Sequence, residues 1–130
     1  MMNIIGIGVD IIDNKRIKNS IKNKNFLNRI FGSHELLKSK NILNKTNYFA
    51  KRFAAKESLS KALGTGFKDG LNFKDIQILN NKIGKPYYLL NKKLENFIKK
   101  KKKLKNFILF LSISDEKDYS VAFTVIQSKR

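Results

Sequence analysis

Two acids and two cations stand where this chain leaves room for chemistry. Asp10 ends the apolar run Gly6-Ile7-Gly8-Val9-Asp10. Arg52, Glu57 and Lys61 lie in Arg52-Phe53-Ala54-Ala55-Lys56-Glu57-Ser58-Leu59-Ser60-Lys61, which leads into Gly64-Thr65-Gly66. Two carboxylates with substrate phosphate oxygens are a common way to hold Mg²⁺, an ion that keeps several of its waters. Main-chain N–H groups of a glycine-flanked loop can cradle a phosphate. The set is equipment for holding a magnesium ion and a pyrophosphate. Read singly, each residue has a plainer role. Asp10 suits a turn or helix cap, Glu57 an i,i+4 pair with Lys61, and Gly64 a helix C-cap. The glycines follow a helix C-terminus, whose dipole repels anions, so a phosphate there must rest on local N–H groups and on Lys61 or Arg52. The P-loop order, glycines before a helix, is absent.

The elements that must position these residues read as follows. Asn3 to Asp10 is apolar and β-branched and predicts a buried strand. Asp13 predicts a cap for a helix through about Lys24, with Ile17 and Ile21 inward and Arg16, Lys18 and Lys22 outward. Phe26 to Phe31 is a short helical or turn segment, and Ser33 caps another short helix to about Lys40, with Glu35 in its first turn. A polar loop from Asn41 to Asn47 precedes a helix from about Tyr48 to Leu63, stopped by Gly64. Phe49, Phe53, Leu59 and Leu63 share one side of that helix. Ala50, Ala54, Glu57 and Lys61 share an adjacent face where something can approach closely. Strands at Phe73–Leu79 and Tyr87–Leu90 form a hairpin through the turn 80–85, with Pro86 opening the second strand. An amphipathic helix over 91–100 buries Leu94, Phe97 and Ile98. The last two strands, 107–114 and 119–127, join through the acidic turn 115–118. The mixed order predicts one α+β domain over residues 1–130, a mainly antiparallel sheet packed against helices.

Composition sets the outer bounds. The 130 residues are 42% hydrophobic, enough for one core. There is no cysteine, which excludes disulfides and thiolate metal sites. The one histidine, His34, has no metal-ligand spacing around it and reads as a surface or capping residue. No Gly-x-Ser-x-Gly elbow is present. No apolar run approaches the ~20 residues that span a bilayer, and no signal-peptide pattern opens the chain, so the expectation is a soluble cytoplasmic protein with no membrane partner. The net charge of +18 suggests nucleic acid. However, Lys outnumbers Arg 24 to 4, and Lys, Asn, Ile and Phe make up half the chain. All four have A/T-rich codons, so a strong mutational bias could produce this composition without selection for binding. A positive surface still steers an acidic partner. The run Lys99–Lys103 reads as a solvated helix end.

Four segments, in order, resemble holo-acyl-carrier-protein synthases, the small bacterial 4′-phosphopantetheinyl transferases. They are Gly6-Ile7-Gly8-Val9-Asp10-Ile11 with Lys15-Arg16-Ile17; Phe49 to Glu57 through Lys61 to Gly66; Gly84-Lys85-Pro86; and Leu111 to Asp115 with Tyr119-Ser120-Val121-Ala122. The resemblance covers nearly the whole chain and implies the phosphopantetheinyl transferase fold. It implies transfer of 4′-phosphopantetheine from coenzyme A to a serine of acidic acyl carrier protein, with release of 3′,5′-ADP, in fatty acid biosynthesis. It implies Mg²⁺ on Asp10 and Glu57, with Glu57 and Lys61 catalytic: Lys61 a phosphate clamp, and a water near Glu57 the preferred proton acceptor, since a lysine base needs a much lowered pKa. Coenzyme A falls to Arg52, Lys61, Gly64, Thr65, Gly66, Lys85 and Pro86, and the carrier to Arg16, Lys18, Lys22 and Arg29. A homotrimer with sites between subunits is implied as well. Phe110 and Asp115 stand where many members carry histidine, which removes histidine there as a base. The rival reading is a basic nucleic-acid module using Tyr87, Tyr88 and Phe110, but it gives Asp10 and Glu57 no role. A third is a non-catalytic scaffold.

Overall fold

Strand β1 (Ile4–Asp13) turns Gly6, Gly8, Asp10 and Ile12 inward and Ile7, Val9 and Ile11 outward, the period-2 alternation of a half-buried strand. The structure, a computed structural model, describes residues 2–64 and 70–129. Asp13 caps helix α1 (Asn14–Ser20) by accepting from Lys15 N–H at 2.9 Å. That helix stops at Ser20 rather than Lys24, and Asn23 then caps α2 (Lys24–Ile30). Gly32, not Ser33, caps α3 (Ser33–Ser39), because its N–H is taken by the Glu35 carboxylate. Helix α4 (Lys45–Leu63) starts inside the expected loop, where Asn44 accepts from Asn47 N–H.

The expected first hairpin strand is shorter than its apolar run. Phe73–Asp75 is a 3₁₀ turn closed by Asp75 on Asn72 N–H, and only Gln77–Asn80 forms strand β2. It pairs antiparallel with β3 (Pro86–Leu89) through a turn in which Gly84 takes φ +89°. Helix α5 (Lys92–Lys102) buries Leu94 and Ile98. Strands β4 (Asn106–Asp115) and β5 (Tyr119–Lys129) complete a three-stranded antiparallel sheet, order β1-β5-β4.

α4 lies across the inner face of this sheet and supplies much of the core with Ile12, Ile17, Phe31, Ala122 and Ile126. Ala50 and Ala54 are wholly buried there, so the close approach they permit is within the core rather than by a ligand. The outer face is different in kind. Ile7, Val9 and Ile11, opposite Val125, Phe123 and Val121, stay largely uncovered, with Phe110 on the third strand. An apolar patch of that extent marks an interaction surface.

Candidate active site

Backbone resting on backbone brings the two acids together. A Cβ on Gly6 would lie 2.0 Å from the Ala62 carbonyl oxygen, and one on Gly8 2.0 Å from that of Ser58. No other residue fits at either place, so β1 descends onto α4 in step with one helical turn. Asp10, two residues on, faces the same helix. Its Oδ1 accepts from Lys61 Nζ at 3.1 Å. The surface pair expected between Glu57 and Lys61 is thus replaced by one from helix to strand.

The other oxygen, Asp10 Oδ2, is buried and has no hydrogen-bond partner. Glu57 is half-buried close by. Burial first, then the charge of Asp10, pushes its carboxyl above the ordinary range, while Lys61 and Arg16 pull it back. An orphaned carboxylate oxygen beside a second acid held toward its protonated form is a site short of positive charge. Among the described residues no three His, Cys, Asp or Glu side chains gather as a cage. Two carboxylates fit Mg²⁺, whose other positions go to water and substrate phosphate.

The remaining expected residues spread outward from this pair. Arg16, Lys18, Lys22 and Arg29 are exposed on and after the two short helices, and the charge of Arg16 is felt at Glu57. Gly64 caps α4 with φ +88°, its N–H on the Ser60 and Lys61 carbonyls. Thr65 and Gly66 lie outside the described residues. Arg52 is buried, stacked 3.7 Å above the Tyr48 ring, and donates to Tyr48 O and Asn80 Oδ1, leaving Nε without a partner. It lines a cavity of about 400 Å³ with His34, Asn80 and Tyr87. Lys85 and Pro86 line another of about 500 Å³ with Tyr87, Phe110 and Phe123, on the outer sheet face opposite Asp10. Asp115 is exposed and accepts from Asn47 Nδ2 at 2.6 Å. Tyr88 is buried with its hydroxyl on Ala55 O, so it offers no face to a base.

Comparison with known proteins decides the family. The model of the 4′-phosphopantetheinyl transferase superfamily matches residues 6–124. The chain belongs to that superfamily. A holo-[acyl-carrier-protein] synthase of Pelagibacter ubique is 54% identical over 98% of this chain and 100% of its own, and one of Orientia tsutsugamushi is 43% identical over 96% and 98%. Among solved structures, the synthase of Neisseria meningitidis superposes with a TM-score of 0.85 at 37% identity, covering 95% of this chain and 98% of its own. That of Bacillus anthracis, in complex with CoA (3′,5′-ADP), gives 0.81 at 35%, covering 99% and 100%. The α+β, antiparallel transferase fold expected from the sequence is the fold found.

Sequence reasoning missed two buried groups of this transferase. Glu35 and Lys56 form an ion pair at 2.7 Å with both side chains fully buried. Burial draws the Lys56 ammonium below its ordinary range, and Glu35 opposes this. Ser58, Thr124 and Tyr88 share a hydroxyl network, with Thr124 Oγ1 at 2.6 Å from Ser58 Oγ and 2.7 Å from the Tyr88 hydroxyl. A signal for Lys56 was available: Phe49, Arg52, Lys56, Leu59 and Leu63 recur at 3,4,3,4 spacing, which puts two cations on a core stripe.

The raised Glu57 carboxyl has a stability consequence. A carboxyl whose folded pKa exceeds its unfolded value, about 4.3, binds more protons when folded. Its stabilising contribution is complete below that value and is lost as pH rises through the folded pKa. Glu57→Gln is expected to raise the melting temperature of metal-free protein at pH 7.5, with the gain vanishing near pH 4. Equal shifts at both values would overturn the assignment.

Proposed function

We propose that this chain transfers 4′-phosphopantetheine from coenzyme A to a serine of apo acyl carrier protein, releasing 3′,5′-ADP, in a Mg²⁺-dependent reaction of cytoplasmic fatty acid biosynthesis. The observation that carries the metal assignment is the buried, unpartnered Asp10 oxygen beside Glu57. Asp10 and Glu57 would hold the ion, which would supply positive charge to offset that of the pyrophosphate.

The chain's own groups do the rest. Lys61 is exposed on a flexible stem and moves from Asp10 to a phosphate oxygen, as a clamp. A water held near Glu57 takes the serine proton. The serine oxygen then bonds to the phosphorus on the pantetheine side, and the bond from that phosphorus to the bridging oxygen breaks. Arg52, Gly64 to Gly66, Lys85 and Pro86 hold the nucleotide end. Arg16, Lys18, Lys22 and Arg29 present the positive surface that an acidic carrier meets. No helix among the described residues is long and apolar enough to cross a membrane.

We infer a homotrimer, a reading that the outer sheet face supports. Its uncovered apolar side chains need a partner of like character, and a second copy offers one. Lys85 and Pro86 open on that face, away from Asp10, so subunits meeting there complete the site from two chains. Intact-mass spectrometry of apo carrier protein incubated with this protein, coenzyme A and Mg²⁺ tests the function. One phosphopantetheine is expected to add, and EDTA to abolish the addition. No gain with several apo carriers would overturn the reading.

A further inference from the structure

The most fully bonded ion pair among the described residues is not the one at Asp10. Glu35 Oε1 accepts from Gly32 N–H at 3.0 Å and from Lys56 Nζ at 2.7 Å, and Oε2 accepts from Ile78 N–H at 3.1 Å. Lys56 Nζ donates onward to the carbonyls of Phe73, at 3.0 Å, and Ile76. Stability alone does not call for this arrangement, because well-packed apolar side chains in place of a buried pair are often as stable or more so. What five directed bonds do supply is register. They tie α3 and α4 to four main-chain groups, three of them in segment 73–78. Two residues further along, Asn80 accepts from Arg52 and donates to Gly84 O at 2.9 Å, in the turn that presents Lys85 and Pro86. Gln77, at the start of the same strand, accepts from His34 N–H at 2.8 Å. Lys56 itself sits one residue from Glu57 and four from Arg52.

We propose that Glu35 and Lys56 are positioning residues for coenzyme A. Neither touches the substrate. Together they fix the Arg52–Asn80 pair and the Gly84–Pro86 turn against the helix that carries Glu57, so that the nucleotide end is bound at a set distance from the metal-binding carboxylates. In a symmetric trimer every copy carries the same brace, so the register also holds for the carboxylates of one copy and the turn of the next. This rests on the transferase reading above.

The test is the kinetics of Lys56→Met, Asn80→Ala and their double variant, with calorimetric binding of 3′,5′-ADP. Wild type is measured first, and failure to bind 3′,5′-ADP or to load a carrier would overturn the transferase reading and this one with it. With wild type active, each single variant is expected to raise KM for coenzyme A and Kd for 3′,5′-ADP about tenfold while kcat stays within about threefold. The double variant is expected to be no worse than the more severe single one, because both act on one connection. A brace that only holds the fold predicts the reverse split: less active protein, a lower apparent kcat and an unchanged KM. If Lys56→Met does not fold, Glu35→Gln, which keeps the side-chain volume and one acceptor oxygen, takes its place. Wild-type KM in a folded variant, or losses that multiply in the double, would overturn the proposal and leave the transferase reading standing.

Discussion

Asp10→Ala is expected to lower carrier loading by roughly a hundredfold or more at saturating Mg²⁺ while leaving the protein at least as stable as before. The two halves of that expectation have separate causes. Activity falls because one of the two carboxylates of the proposed metal site is gone, and Lys61 with Glu57 alone presents no net negative charge. Stability holds because the lost bridge to Lys61 is largely exposed on the lysine side and worth little. The other oxygen removed was buried without a partner. Removing its charge also relieves Glu57, whose proton affinity Asp10 raises. Glu57→Ala is expected to lose activity to the same degree. Loading rates with and without EDTA, set beside thermal melts, check both variants. Near-wild-type rates in the two would sink the metal assignment, whereas joint loss of rate and melting temperature would make Asp10 a structural acid.

Phe123→Asp is expected to separate the subunits and abolish activity together. Phe123 lies on the central strand, facing outward between Val9 and Ser112, and is 42% exposed in the single chain. In the proposed trimer three copies close over this face and bury it, and a carboxylate there would be trapped without a partner at each of three equivalent contacts. Sedimentation is expected to show three 15.0 kDa chains for wild type and one for the variant. Phe123 lies away from the Asp10–Lys61 bridge but lines the cavity of Lys85 and Pro86, so loss of loading is traced to assembly only where it follows loss of the trimer in sedimentation. A variant that stays trimeric and active would remove this face from the interface.

What could be read ahead of the structure divides by whether the cause is local. β1, α4, the turn before Pro86 and the closing hairpin were legible because side-chain period, glycine stops and turn residues act over a few positions. The shortened β2 was not. Phe73 to Leu79 has a strand's composition, but Asp75 bonds back to Asn72 N–H and Lys56 takes the carbonyls of Phe73 and Ile76. Lys56 is close in space and some twenty residues distant in sequence. The same distance hid the partner of Glu35, which read as an ordinary first-turn acid. Asp10 and Glu57 were legible as a candidate pair from residue type and placement, and the family resemblance implied the same pair. That Asp10, rather than Glu57, holds Lys61 depended on how far β1 sinks onto α4, a matter of two glycines whose contact residues lie fifty or more positions away.

Those glycines give the site an unusual independence from the rest of the chain. Where β1 meets α4, the gap between strand and helix is set by main-chain atoms on both sides. Repacking, by contrast, shifts elements when core side chains change size. A genome under pressure toward A and T can exchange surface residues for lysine and asparagine over many generations without altering where Asp10 stands. Drift in composition therefore reaches the docking surface and the net charge long before it reaches the chemistry, and two codons, those of Gly6 and Gly8, mark the boundary.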